Sequence, residues 1–126
     1  MKTYSFEKLE CWQKARELAV LVYKITINFP ADEKFGMVSQ MRRCAISIAS
    51  NIAEGTSRIS KKDQAHFSVI SYGSSIELLN DCIIVKDLNY ITEESYLLIR
   101  EKLEYVTYLI SALRKSQQIN PKPSKP

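Results

Sequence analysis

Apolar side chains return every three or four residues through most of this chain, and the returns fall into four long runs separated by short turns. The clearest run is Ser39 to Gly55, SQMRRCAISIASNIAEG. Wound at about 100° per residue, it puts Met41, Cys44, Ala45, Ile48, Ala49 and Ile52 on one core-facing side. Gln40, Arg43, Ser47, Asn51 and Glu54 form a second, polar stripe roughly 80° wide beside it. Ser and Asn are poor helix formers, so a stripe built from them predicts a nearby user. Arg42 points about 100° away from Arg43 and is read as serving a different face.

The other three runs share the same period. Ser5 is placed to cap a helix over residues 6 to 28, with Cys11, Ala15, Leu18, Val22, Ile25 and Phe29 on one side, and Phe29-Pro30 ends it. Asp32 is a candidate cap for the next helical segment, and the second helix runs from near Met37 to Gly55, read as a C′ residue. Ser60 starts a third helix reaching Leu88, and Thr92 a fourth whose seam is Tyr96, Ile99, Leu103, Val106, Ile110 and Leu113.

The third helix carries two apolar lines. Ala65, Val69, Tyr72, Ile76, Leu79 and Ile83 repeat as a bundle seam. Phe67, Leu78, Cys82 and Val85, with Ser71 and Ser74 between them, lie nearly opposite. A four-helix bundle buries one side of each helix, so the second line predicts self-association through Phe67, Ser71, Ser74, Leu78, Cys82 and Val85. Short connections predict an all-α, antiparallel, up-down-up-down four-helix bundle of left-handed twist over residues 1–116. Residues 117–126, QQINPKPSKP, have no apolar period and predict a flexible, basic, Pro-rich tail.

Composition supports one all-α domain: three of the four prolines lie in the last six residues. No apolar run approaches the roughly 18 residues that cross a bilayer and the start lacks a signal segment, so a cytoplasmic protein without membrane contact is expected. Cys11, Cys44 and Cys82 sit on three different predicted helices without metal-ligand spacing and read as small buried hydrophobes. The net charge of +4 is uneven: residues 31 to 62 carry six bases and three acids, residues 63 to 91 one base and four acids. Such an excess permits a nucleic-acid partner without demanding one.

One histidine, His66, and three glycines leave little catalytic chemistry to assemble. A di-iron bundle needs Glu-x-x-His pairs, and no Glu stands three residues before His66. Arg58 and His66 are separated by seven residues, one more than the Arg-x4-6-His of helical-bundle ribonucleases. No catalytic residue, metal ligand or cofactor is expected. Arg58, Lys61 and Lys62 around a helix start, together with Arg43, are the candidate phosphate contacts. The stripe of Arg43, Ser47, Asn51 and Glu54 reads either as a polar network setting helix register or as a groove meeting a partner.

SFEKLECWQKARELA, then FPADEKFGMVSQMRRCAISIASNIAEG, then SRISKKD and KDLNYIT, closely resemble the four-helix-bundle proteins encoded in intervening sequences of bacterial large-subunit ribosomal RNA genes, over residues 5 to about 115. Gln40 to Arg43, Ser47-Ile and Asn51 to Gly55 are the most specific part, and Ala49 stands where the family commonly has proline. The resemblance implies a ring, a homopentamer, with no established enzymatic activity. It extends to the accessory protein of diversity-generating retroelements, a basic pentameric barrel associated with a reverse transcriptase and nucleic acid. The function expected is therefore a non-enzymatic homo-oligomer with weak, non-sequence-specific RNA or DNA association. The alternatives are a protein-interaction adaptor, for instance for a reverse transcriptase, and, most distantly, a ribonuclease.

Overall fold

A computed structural model describes residues 1–118; residues 119–126, most of the expected tail, lie outside it. Four helices account for most of it: α1 Glu10–Thr26, α2 Met37–Thr56, α3 Lys61–Asp87 and α4 Glu93–Gln117. No strand occurs among the described residues. Gln117, assigned to the tail from sequence, ends α4 and is buried, because its side-chain carbonyl accepts from the Ser68 hydroxyl at 2.6 Å.

Local chemistry sets the ends. Ser5 opens a separate 3-10 turn, Ser5–Lys8, in which the Glu7 carboxylate accepts from the Tyr4 N–H at 2.8 Å; α1 therefore starts later than expected. The cap of α2 comes from Glu33 rather than Asp32, its carboxylate accepting from the Met37 N–H at 3.0 Å. Ser60 and Thr92 cap α3 and α4 as their positions predict, accepting from Asp63 N–H at 3.1 Å and Ser95 N–H at 3.0 Å. At the end of α3 the Tyr90 N–H donates to the Val85 carbonyl and Asn89 N–H to that of Lys86, with Asn89 left-handed at φ 62°. That is the Schellman arrangement with asparagine at C′. Gly55 is no such residue: α2 runs past it to Thr56, and a Cβ there would lie 3.1 Å from Phe67 Cβ. Its glycine serves a close approach of α2 to α3.

Each helix packs on two others: α1 on α2 and α4, and α3 on α2 and α4. The diagonal pairs make no close backbone approach among the described residues, which is the arrangement of a four-helix bundle. Leu18 and Val22 of α1, Met41, Ile48 and Ile52 of α2, Leu78 and Val85 of α3, and Ile99, Leu103, Val106 and Ile110 of α4 form the core.

α3 is turned from the sequence expectation: of the expected seam, Tyr72 and Leu79 stay half-buried against the core, but Val69, Ile76 and Ile83 exchange places with the expected outer line. Ser71, Leu78, Cys82 and Val85, expected to meet another chain, are buried inside the bundle; Phe67 is half-buried against Gly55, and Ser74 against α2. Val69, Ile76 and Ile83, expected in the seam, are 47%, 46% and 40% exposed. The physical reason is the seam with α2. The Ser71 hydroxyl donates to the Ile48 carbonyl at 2.9 Å, the Ser47 and Ser74 hydroxyls share a hydrogen bond at 2.9 Å, and the Gln40 amide donates to Asp81 at 2.8 Å. These pairs run in opposite chain order along the two helices. An isoleucine-lined face would hold α2 and α3 apart and leave the α2 polar stripe without partners.

The network that forms differs in membership from the expected one. The Asn51 amide donates to the Ser47 carbonyl at 2.9 Å and hydroxyl at 3.1 Å, joining the seam. Arg43 is exposed and makes no hydrogen bond to these groups among the described residues, and Glu54 turns outward to pair with Arg58. Gln40, Ser71, Ser74 and Asp81 take their places. Asp81 is 1% exposed, accepts a second bond from Asn80 at 3.3 Å, and has the Cys44 thiol 3.9 Å away. Burial pushes its carboxyl above the ordinary 3.8, against the pull of the Gln40 and Asn80 amides.

This packing has two measurable outcomes. Leu78→Ala should lower unfolding free energy by about 2–5 kcal/mol in urea titration, whereas Ile76→Ala should stay within about 1 kcal/mol; equal losses would contradict the assignment of faces. Because the folded pKa of Asp81 lies above its unfolded value, the folded chain binds the proton more tightly, and the contribution of this group to stability falls as pH rises through that window. Asp81→Asn should therefore raise the melting temperature at pH 7, and the gain should shrink as pH is lowered towards 4; a gain independent of pH would refute the assignment.

Candidate nucleic-acid interface

The four cations singled out from sequence do not converge. Arg43 lies near the start of α2, while Arg58, Lys61 and Lys62 lie beyond its other end, about 22 Å away at 1.5 Å per residue. Arg58 is held by Glu54 at 2.6 Å and its guanidinium sits 4.8 Å over the Phe67 ring. The Lys61 ammonium lies 3.5 Å from the Ser116 carbonyl, near the end of α4. Lys62 is exposed. Two of the three cations of this turn are thus already engaged within the chain.

Arg43 has different company. It borders a depression of about 530 Å³ together with Tyr23, Lys34, Phe35, Val38, Ser39, Arg42 and Ile46. Both arginines reach it, contrary to the reading that separated them by bearing, because the depression wraps round the side of α2 towards the end of α1. Arg42 is built in. Its Nε donates to the Thr26 hydroxyl at 2.9 Å, a terminal nitrogen donates to the Tyr23 carbonyl at 3.2 Å, and its guanidinium lies 4.5 Å over the Tyr23 ring. A cation on the last carbonyls of α1 is favourably placed in the helix dipole. Arg43 is exposed beside it.

The turn before α2 completes the depression. Phe35 is 88% exposed, with the Lys34 ammonium 5.4 Å over its ring. The preceding residue anchors this turn: the Glu33 carboxylate accepts from the Met37 N–H and, at 2.8 Å, from the Tyr90 hydroxyl. Those two donors hold its carboxyl below the usual range, and the carboxylate pushes the Tyr90 hydroxyl upward in turn. The signal missed in the sequence was the Lys34-Phe35-Gly36 turn itself, a large aromatic beside a lysine where no core position calls for one.

Below Tyr23 and Ile46 the depression runs into an apolar groove of about 740 Å³ between α1 and α2. Its walls are Trp12, Val20, Tyr23 and Ile46, its floor Ala19, Ala49 and Ala53, and Arg16 and Lys24 stand at its rim.

Chemically, cations around an exposed aromatic ring suit a phosphate backbone with an unstacked base. Acid–base or nucleophilic groups do not gather here. Burial pushes the thiols of Cys11, Cys44 and Cys82 up to about 12, so none is a ready thiolate. His66 is exposed on α3, its ring 5.5 Å from that of Phe67. Among the described residues no three His, Cys, Asp or Glu side chains cluster as metal ligands, and no helix is long and apolar enough to cross a membrane.

The chain matches the 23S rRNA-intervening sequence protein family over residues 7–112. It is similar to the 1.70 Å crystal structure of a protein of unknown function of the S23 ribosomal protein family from Bacteroides thetaiotaomicron VPI-5482. That similarity has 26% identity and a TM-score of 0.75, covering 83% of this chain and 98% of that one. No curated protein matches. Since the family match spans nearly all of the four helices, this chain belongs to the 23S rRNA-intervening sequence protein family.

Proposed function

We propose that this chain is a non-catalytic bundle that self-assembles, as a homopentamer by family resemblance, and binds single-stranded RNA or DNA weakly and without sequence preference. The observation that carries the nucleic-acid reading is Phe35, 88% exposed beside Lys34, at the edge of a depression whose other cations are Arg42 and Arg43. Stacking on a ring and contact with backbone phosphate are both indifferent to base identity. Buried thiols and the lack of converging acid–base groups at this site support a binding role over a chemical one. The exposed isoleucines of α3 support self-assembly. Arg58, Lys61 and Lys62 are at most secondary contacts, since two of the three are engaged within the chain.

Fluorescence anisotropy with labelled 20-nucleotide single-stranded RNA and DNA over a salt series tests the reading. Affinity should fall steeply with salt. Phe35→Ala should weaken binding about tenfold, within the ~1–3 kcal/mol of a base–aromatic stack. Arg43→Glu/Lys34→Glu should weaken it further and flatten the salt slope, with Lys61→Glu/Lys62→Glu doing less. No binding at 20 mM salt, or binding that ignores Phe35 and Arg43, refutes it.

A further inference from the structure

Two hollows adjoin where α1 ends beside the start of α2, and Lys34, Val38 and Arg42 line both. One is the depression with Phe35, 88% exposed, at its edge. The other is a cleft of about 220 Å³ walled by Ile27, Phe29 and Pro30 of the turn that follows α1, with Ile27 74% exposed. An aromatic ring, a pair of cations and an apolar cleft thus follow one another across the surface. We propose that two adjacent nucleotides of a single strand span this place, one base on Phe35, the next in the Ile27 and Pro30 cleft, and the phosphodiester between them on Lys34 and Arg42. This two-nucleotide footprint rests on the nucleic-acid reading and gives its ligand a definite form.

Arg42 is prepared for the phosphate. Its bonds to the Thr26 hydroxyl and the Tyr23 carbonyl, with the Tyr23 ring 4.5 Å away, fix the guanidinium while using two of the five N–H groups that it carries. The remaining N–H groups have no partner among the described residues, and neither Arg42 nor Lys34 makes an ion pair there. A guanidinium already held in place, with donors unused, can grip a phosphate bidentately and loses little freedom in doing so.

The acids of the same turn are directed elsewhere. The Glu33 carboxylate is taken by the Met37 N–H and the Tyr90 hydroxyl, and Asp32 lies near enough to that hydroxyl to push it upward, so both belong to the side that meets the connection between α3 and α4. Neither acid lines either hollow, and the first turn of α2 has none. A single strand matches the order of the surface, since its flat rings alternate with phosphates and its unstacked bases can be splayed onto aromatic and apolar side chains. A free phosphate would leave both apolar surfaces uncovered, and an acidic peptide brings charge without rings. A duplex keeps its bases paired and stacked away from both hollows.

Anisotropy at 20 mM salt, with circular dichroism confirming each fold, tests the footprint using a labelled 20-nucleotide thymidine strand and the same strand with every second base removed. In the second strand no two neighbouring nucleotides both carry a base. Wild type should bind it about tenfold more weakly than the first. Ile27→Ala should weaken binding of the full strand by several-fold and bind the two strands nearly alike, and Phe35→Ala should likewise erase the difference between them. Arg42→Gln should weaken both strands about tenfold, with Arg42→Lys recovering part of the loss. Failure of wild type to bind either strand overturns the nucleic-acid reading and the footprint with it. Binding that depends on Phe35 but is the same for both strands, or is unmoved by Ile27→Ala, overturns the footprint alone. So does a 20-residue polyglutamate that displaces the full strand as well as unlabelled strand does, because the site would then read charge without bases.

Discussion

Ser71 donating to the Ile48 carbonyl, Ser47 bonded to Ser74 and Gln40 bonded to Asp81 tie α2 to α3 along a seam of small and polar side chains, and the rest of the molecule is arranged around that contact. Serines allow the backbones to approach closely enough for a side chain to reach a main-chain carbonyl, and Gly55 against Phe67 continues the same approach at the far end. Buried hydroxyls and amides left unpaired would be costly, so the polar stripe of α2 can face only a surface able to answer it. Once the serine side of α3 takes that place, its isoleucines have nowhere to go but outward.

The outward isoleucines connect packing to the proposed self-assembly. A core side chain is satisfied by its own chain, whereas Val69, Ile76 and Ile83 keep much of their apolar area in water. The groove between α1 and α2 has the complementary defect: aromatic and aliphatic walls over a floor of alanines too small to fill it. Both belong to helices whose inner faces are already committed. In the proposed reading, self-assembly is a consequence of how the interior was solved.

The basic depression has its own mechanical support. Glu33 caps α2 and receives the Tyr90 hydroxyl from the connection between α3 and α4, so the turn bearing Lys34 and Phe35 is pinned to two parts of the bundle. Arg42 ties α2 to the last carbonyls of α1 beneath it. Exposed groups held by such contacts lose less freedom on meeting a ligand than the same groups on a loose loop would.

Four helices, their approximate ends and most of the core were legible in the sequence. Leu18, Met41, Ile48, Ile99, Leu103 and Ile110 sit on faces with one apolar side, and a helix with one apolar side has one way to turn. The Ser60 and Thr92 caps were equally local. On α3, where two apolar lines compete, period alone preferred the larger residues and placed Val69, Ile76 and Ile83 inside, though Tyr72 and Leu79 of the same line do pack on the core. Serine hydroxyls that look like surface in a one-dimensional pattern become interior once a carbonyl and a second polar stripe stand opposite. For the site, Arg43 was named from sequence both as a candidate phosphate contact and as part of the polar stripe, but its company was not legible: Lys34, Phe35 and Tyr23 approach it only because α1 ends beside the start of α2. Periodicity determines which residues share a side of a helix; which side meets which neighbour is decided by steric fit and hydrogen-bond pairing between helices, and those exist only in the tertiary structure.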